Sequence, residues 1–328
     1  MIDYKAMRIS MPSVAEDVVI RDPIVFDDPD FANGEPTLSR DEVAFFKENG
    51  FIVKRGLLED RGNFKRIVDY MWENVPRQII RREDPQTWPG APHGQWTEED
   101  VEKAGLFSGG AWKMRSQNGI GTEPFLLDKI AHHPNMLKVV SSFIGGPIKR
   151  CGRVRGVYGV FPVPPGVPGK LSPHADHTAA MLSAMVIVDE VPPHCGGFTV
   201  WPGSHHVVHP HCSSTHGPVK ADRAQAYALA RDQALRDITP VELSGRAGDV
   251  IFWHPRLLHS GGNNLSAGSD RPILRVIVPC DYQRDGLDFF DDPIEGPGPN
   301  HQWWVDTRNF HSDGLPTAAN IWDGWVFG

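Results

Sequence analysis

The stretch "GDVIFWHPRLLHSGGNN", residues 248–264, reads as a turn, a strand and a tight loop in succession. Gly248-Asp249 is a turn-forming pair, "VIFW" has the β-branched and aromatic residues that fit a pleated surface, and "SGGNN" is dense in turn formers. Two histidines punctuate it, His254 at the strand end and His259 in the loop. Runs of the same build lie on either side: "GVYGVF" (156–161), "MLSAMVIV" (181–188), "GFTVWP" (197–202) and "PILRVIVP" (272–279), separated by Gly and Pro. Short strands bounded by turn residues predict a sandwich or barrel, of which the jelly roll is one member. One insertion, "DRAQAYALARDQALRD" (222–237), has helix-forming composition.

Upstream the texture differs. Residues 1–37 are rich in Pro, Asp and Gly without periodicity and read as an extended arm. Ser39-Arg-Asp-Glu42 is a capping box, Leu38 and Val43 stand where a hydrophobic staple belongs, and Gly50 stands at the expected C-cap. A helix therefore starts after Ser39, and "GFIVKRGLL" follows as a strand. Residues 60–75 carry a helical apolar pattern, and a further helix is predicted over 125–143 with a break at His132-His133-Pro134. The expected organisation is an arm, 1–37, and one domain, 38–328. Within it lie a helical part (38–150), a jelly-roll core (156–282) and a Trp-rich tail (283–328).

The chain has 328 residues, enough to bury a sizeable core, and 40% hydrophobic content argues against disorder. A formal net charge of −8 opposes a nucleic-acid partner, whose phosphates require clustered Lys and Arg. Basic runs such as Arg77, Arg81, Arg82 and Lys149, Arg150, Arg153, Arg155 read as solvated surface. The cysteines, Cys151, Cys195, Cys212 and Cys280, show no CxxC spacing and read as reduced thiols. The first residues lack the apolar core of a signal peptide, and no segment approaches the roughly 18 apolar residues of a membrane span. A cytoplasmic protein with no nucleic-acid or membrane partner is expected, with homo-oligomerisation left open.

"LSPHADHTAAM", residues 171–181, adds His174 and Asp176 two positions apart. On a strand both would point to one face while Ala175 faces away. Joined by His254 or His259, they would make a set of two imidazoles and one carboxylate, a facial triad that leaves three metal positions open.

The ordered set H-x-D, "GGFTVWPGSHH" (196–206), "GDVIFWHPRLLHSGGNN" and then an arginine resembles the phytanoyl-CoA dioxygenase-like (PhyH) family of Fe(II)/2-oxoglutarate oxygenases. "LSRDEVAFFKENGFIVKRGLL" (38–58) resembles that family's first helix and strand, so the likeness spans about 38 to 282. It implies a mainly β fold with flanking helices, a double-stranded β-helix (jelly roll, cupin-like), with Fe(II), 2-oxoglutarate and O2 as cofactor and co-substrates. By the resemblance His174, Asp176 and His259 are the metal ligands, and His254 is a strand-end residue. It also implies an arginine about eleven residues past the distal histidine, holding the far carboxylate of 2-oxoglutarate; a guanidinium fork suits that task better than a lysine. Asp270 has that spacing, so Arg271 is the assigned anchor and Arg275, on the same strand face, the second candidate. Tyr158 is the residue carried over as a further 2-oxoglutarate contact.

The implied reaction is hydroxylation of a C–H bond in a small molecule, with release of succinate and CO2. A carboxylate at 176 favours hydroxylation, since related halogenases replace it with a small residue. A cupin-like metal-dependent hydrolase or isomerase, and a non-catalytic jelly-roll binding protein, are the alternatives; Arg271 argues against the first and the intact triad against the second. The other histidines of this region, His177, His205, His206, His209 and His211, read as structural or surface groups, Asp249 as a turn former, and Pro202-Gly203 as a tight turn. Trp303, Trp304, Trp322 and Trp325 read as packing the tail onto the barrel, while Trp112, Arg115 and Gln117 could line a substrate pocket or a surface loop.

Overall fold

The computed structural model describes residues 12–74, 80–88, 106–107, 111–115, 120–163, 171–176, 180–213, 221–285 and 315–328. In chain order its elements are β1 (Ile24–Val25), α1 (Arg40–Asn49), β2 (Phe51–Lys54), α2 (Arg61–Asn74), β3 (Leu106–Phe107), β4 (Ala111–Arg115), α3 (Pro134–Ile144), β5 (Gly156–Val160) and β6 (Leu182–Ile187). Then come β7 (Phe198–Val200), α4 (Ala224–Asp237), β8 (Val241–Leu243), β9 (Val250–Trp253), β10 (His259–Gly261) and β11 (Arg275–Tyr282). Two sheets result: β2-β9-β6-β11-β5-β4-β3, antiparallel throughout, and β1-β8-β7-β10, antiparallel except for the parallel β1–β8 pair. Two facing, antiparallel-rich sheets with helices outside form a double-stranded β-helix.

Alternation along the strands builds the layers. Ile251 and Trp253 of β9, Met185 and Ile187 of β6 and Ile277 of β11 meet Phe198 and Val200 of β7 in the core between the sheets. Their neighbours Val250, Phe252, Val186, Val276 and Val278 face the opposite way, against Phe46 of α1, Ile67 and Met71 of α2 and Val139 and Phe143 of α3. A period of two thus sends successive residues into different cores. On the far side of the smaller sheet, α4 packs through Tyr227, Ala230, Ala234 and Leu235 on Leu171, Ala175, Trp201 and Leu258. The inserted helix is therefore a wall of the fold.

The start of α1 follows its sequence signature. Ser39 Oγ accepts from Glu42 N at 3.1 Å and Glu42 Oε2 accepts from Ser39 N at 2.7 Å, and Gly50 closes the helix at φ 81°. A side chain at Gly50 would meet His205 Nδ1 at 2.7 Å, so this position requires glycine for space as well as for angle. The break at residues 132–133 is also present, between a π-helical turn (Leu127–Ala131) and α3. The arm contributes more than cover, because β1 pairs with β8 at the sheet edge.

Two local expectations differ. His174-Ala-Asp176 is not in a strand; a lone bridge ties His174 to His259. "HSG" is not loop but β10, in register with β7. Its glycines permit close approach: a Cβ on Gly262 would lie 2.2 Å from Gly197 O, to which Gly262 N donates at 3.0 Å.

Candidate metal centre

His174 and His259 are opposed across an antiparallel bridge, each backbone N–H donating to the other's carbonyl at 3.0 and 2.9 Å. Their rings lie 4.5 Å apart. Asp176 N donates to Pro255 O at 2.9 Å, which turns the segment so that its carboxylate joins the pair. One ligand atom from each of His174, Asp176 and His259 falls within 4.8 Å of the others. Asp176 and His259 are buried and His174 is exposed, so the group sits at the rim of the space between the sheets.

Hydrogen bonding sets which nitrogens are basic. His174 Nδ1 lies 2.7 Å from Ser172 O, and His259 Nδ1 lies 2.9 Å from Leu257 O. A carbonyl only accepts, so each Nδ1 carries the proton and each Nε2 the lone pair. Metal-ligating histidines are oriented in this way by a second partner. Burial alone would raise the Asp176 carboxyl, but the Arg155 guanidinium holds it well below the usual carboxylate range. Two neutral imidazoles and one ionised carboxylate are a donor set for a divalent cation such as Fe(II). The segment is braced from behind: Ala175 N donates to Tyr227 Oη of α4 at 3.1 Å and Ser172 N to Ser260 Oγ at 2.9 Å.

The two arginine candidates part company. β11 begins only at Arg275, because residues 264–273 form a compact turn in which Asn264 Nδ2 donates to Ile273 O and Ile273 N donates to Ser266 Oγ. Arg271 is exposed in the bend before the strand and lines a cavity of about 300 Å³ with Trp72, Trp88, Leu274 and Val276, on the helix-covered side of the larger sheet. The structure does not bring it to the triad. Arg275 shares the strand face of Ile277 and is buried, with Nη2 beside Gly261, two residues from His259. Its Nη1 donates to Gly196 O, its Nε has no partner, and among the described residues no carboxylate forms an ion pair with it. Burial pushes Arg275 down to about 10, partly offset by the field of Glu242. A fully buried guanidinium with unused donor capacity fits the far carboxylate of 2-oxoglutarate. Tyr158 packs against the core between the sheets, opposite Ile277 on β11.

The remaining candidates lie apart from the triad or outside it. His254 accepts from Arg256 N at 3.0 Å and stacks on Trp325 at 16°. His205 and His206 both donate through Nε2 to Lys47 O, at 3.1 and 2.8 Å. His209 pairs with Asn320, and Asp249 ties the β8–β9 turn to Arg55 and Gly56. His177, Gln117, Trp303 and Trp304 lie outside the described residues, and of Trp112 and Arg115 only the backbone pairing of β4 is described. Sequence reading missed Arg155, which donates to both Asp176 and Asp281. Its residue type within a basic run carried no sign of burial.

A jelly roll with two histidines and a carboxylate at the rim between its sheets defines a class, the iron(II)- and 2-oxoglutarate-dependent oxygenases. Residues 46–273 match phytanoyl-CoA dioxygenase (PhyH), and the chain belongs to that family. No curated protein matches the chain. Among solved structures it is similar to EctD from S. alaskensis, at 17% identity over 92% of this chain and 96% of that one, with a TM-score of 0.46. HygX from Streptomyces hygroscopicus, with nickel, 2-oxoglutarate and hygromycin B bound, is 16% identical over 80% and 96% of the two chains, with a TM-score of 0.44. The α-ketoglutarate-dependent carbocyclase SnoK from nogalamycin biosynthesis is 19% identical over 75% and 84%, with a TM-score of 0.41.

Proposed function

We propose that the protein hydroxylates an unactivated C–H bond of a small molecule, with His174, Asp176 and His259 as the Fe(II) ligands and Arg275, in place of Arg271, as the 2-oxoglutarate anchor. The observation that carries this reading is the pairing of the two imidazoles, each with Nδ1–H committed to a backbone carbonyl and each offering a ligand atom within 4.8 Å of one from Asp176. When bound, ferrous iron supplies the oxidation of 2-oxoglutarate by O2 to succinate and CO2 and the transfer of an oxygen atom to substrate. The chain supplies position and exclusion of water. Arg275 presents its fork from β11, and Tyr158, Phe198 and Ile277 form the apolar surroundings of the path between anchor and triad. The exposed face of His174 marks the side open to substrate. An ionised Asp176 gives hydroxylation its anionic ligand. Four free cysteines accord with a reducing, cytoplasmic setting. Among the described residues no helix is long and apolar enough to cross a membrane.

The test needs no knowledge of the substrate. Wild-type protein loaded with Fe(II) should slowly convert 2-oxoglutarate to succinate, and Asp176→Ala should abolish this. Iron-containing protein that makes no succinate above a metal-free control, alone or across a substrate screen, overturns the assignment.

A further inference from the structure

Asp176 is held by more than the metal site requires. Arg155 donates from Nη2 to Oδ2 at 2.9 Å and from Nη1 to Oδ1 at 3.2 Å. The same guanidinium donates from Nε to Asp281 Oδ2 at 2.6 Å and from Nη2 to Asp281 Oδ1, and Ser183 Oγ donates to Asp281 Oδ1 at 2.8 Å. Asp281 is 1% exposed, and Ser183 and Asp281 are cross-strand neighbours on β6 and β11. Arg155 also lies over Trp253, 5.7 Å from the ring centroid, and Trp253 in turn is 5.6 Å from the His259 ring. The fork is thus committed to two carboxylates and backed by an indole, which fixes its position.

Its effect on the two oxygens of Asp176 is unequal. Oδ2 takes the shorter bond, and Oδ1 lies 3.6 Å from His259 Nε2, on the side of the donor set. A carboxylate can bind a cation through one oxygen or through both. Use of both would occupy a position that a chelating co-substrate needs, since a facial triad works through its open positions. Resting on the triad assignment above, we propose that Arg155, anchored by Asp281, is a positioning residue that holds Oδ2 of Asp176 by the shorter bond and leaves Oδ1, held at 3.2 Å, as the oxygen offered to the metal.

The test replaces the buried pair together, because removing one partner would leave a buried charge uncompensated. R155Q/D281N removes equal and opposite charges and keeps polar groups in place; R155K keeps the charge without the planar fork. Co(II) is titrated into metal-free protein without oxygen, followed by 2-oxoglutarate, with the visible ligand-field spectrum read at each step. In both variants Co(II) affinity should stay within about threefold of wild type, where loss of a partner that only orients a ligand would cost about 10–100-fold; the spectrum should change, and 2-oxoglutarate should bind about tenfold or more weakly, because a second bound oxygen takes a position the chelate needs. An unchanged spectrum with 2-oxoglutarate affinity within about twofold overturns the proposal; so does loss of Co(II) from protein whose circular dichroism is native. If Asp176→Ala leaves the wild-type Co(II) spectrum unaltered, the fault lies with the triad and not with Arg155.

Discussion

Arg275 and Arg271 stand four residues apart and on opposite sides of a sheet. At the scale of single residues this is the sharpest difference between what spacing suggests and what packing permits. Arg275→Ala should weaken 2-oxoglutarate binding by about 2–5 kcal/mol, as for truncating one partner of a buried charge pair. Arg271→Ala, in an exposed bend, should change it by less than about 0.5 kcal/mol. Anaerobic titration of 2-oxoglutarate into Fe(II)-loaded variants ranks them, and the reverse order would return the anchor to Arg271. The histidines divide in the same way. His259→Ala should lose iron on purification while His254→Ala keeps it, because His259 Nε2 faces Asp176 and His254 faces Trp325. Metal analysis of the two proteins decides, and equal loss from both would sink the distinction. Motif context chose His259 from the sequence, since a histidine before Ser-Gly-Gly differs from one before proline, and His259 is the one the structure groups with His174 and Asp176. It could not choose the arginine, because the length of the intervening turn is set by bonds among Asn264, Ser266 and Ile273 that spacing does not encode.

Elements are joined here by side chains with two duties. Glu42 closes the capping box of α1 with one oxygen and accepts from buried Lys54 of β2 at 2.6 Å with the other. Ser39→Ala should cost about 1 kcal/mol, as for a lost cap. Glu42→Ala should cost about 3–5 kcal/mol, because it strands the Lys54 ammonium as well. Urea unfolding of the two variants separates these values, and equal losses would show that the ion pair adds nothing. The capping box was legible from residues 39–42; the partner across from it was not. A second case is the short helix Ser204–Val208. Burial, then neighbouring His206, hold His205 well below the ordinary histidine range, and its Nδ1 has no acceptor. Below the unfolded value of about 6.5 the unfolded chain therefore binds a proton that the folded chain refuses, and stability falls as the pH is lowered. The slope should approach 1.4 kcal/mol per pH unit for this group. His132 and His133 are shifted the same way, so the contribution is read as the difference between wild type and His205→Gln in denaturant midpoints at pH 7.5 and 5.5. No difference in slope would place His205 outside the acid response.

For the whole molecule, the described end of the tail is part of the outer helical layer. Trp322 and Trp325 meet Phe46 of α1, Trp325 and Phe327 meet Phe143 of α3, and Val326 N donates to Phe143 O at 2.9 Å. These contacts lie across the larger sheet from the core that holds the triad. Trp322→Ala should lower stability by about 1–3 kcal/mol and leave 2-oxoglutarate affinity unchanged. Thermal unfolding beside an anaerobic titration checks both, and a weakened affinity would mean that the tail reaches the site. The sequence by itself determined the class of fold and picked out His174, Asp176 and His259, which the structure brings together. A period of two with frequent turn residues encodes strands locally, and H-x-D followed by a histidine in a Gly-rich setting carries its own chemistry. Only the tertiary structure decided which arginine enters the space between the sheets, that α4 braces Ala175 through Tyr227, and that Arg155 sits, largely shielded from solvent, between two carboxylates. The physical reason is that burial and charge pairing are properties of residues far apart in the chain. Arg155 and Asp281 are separated by 126 positions and meet only because β5 and β6 flank β11.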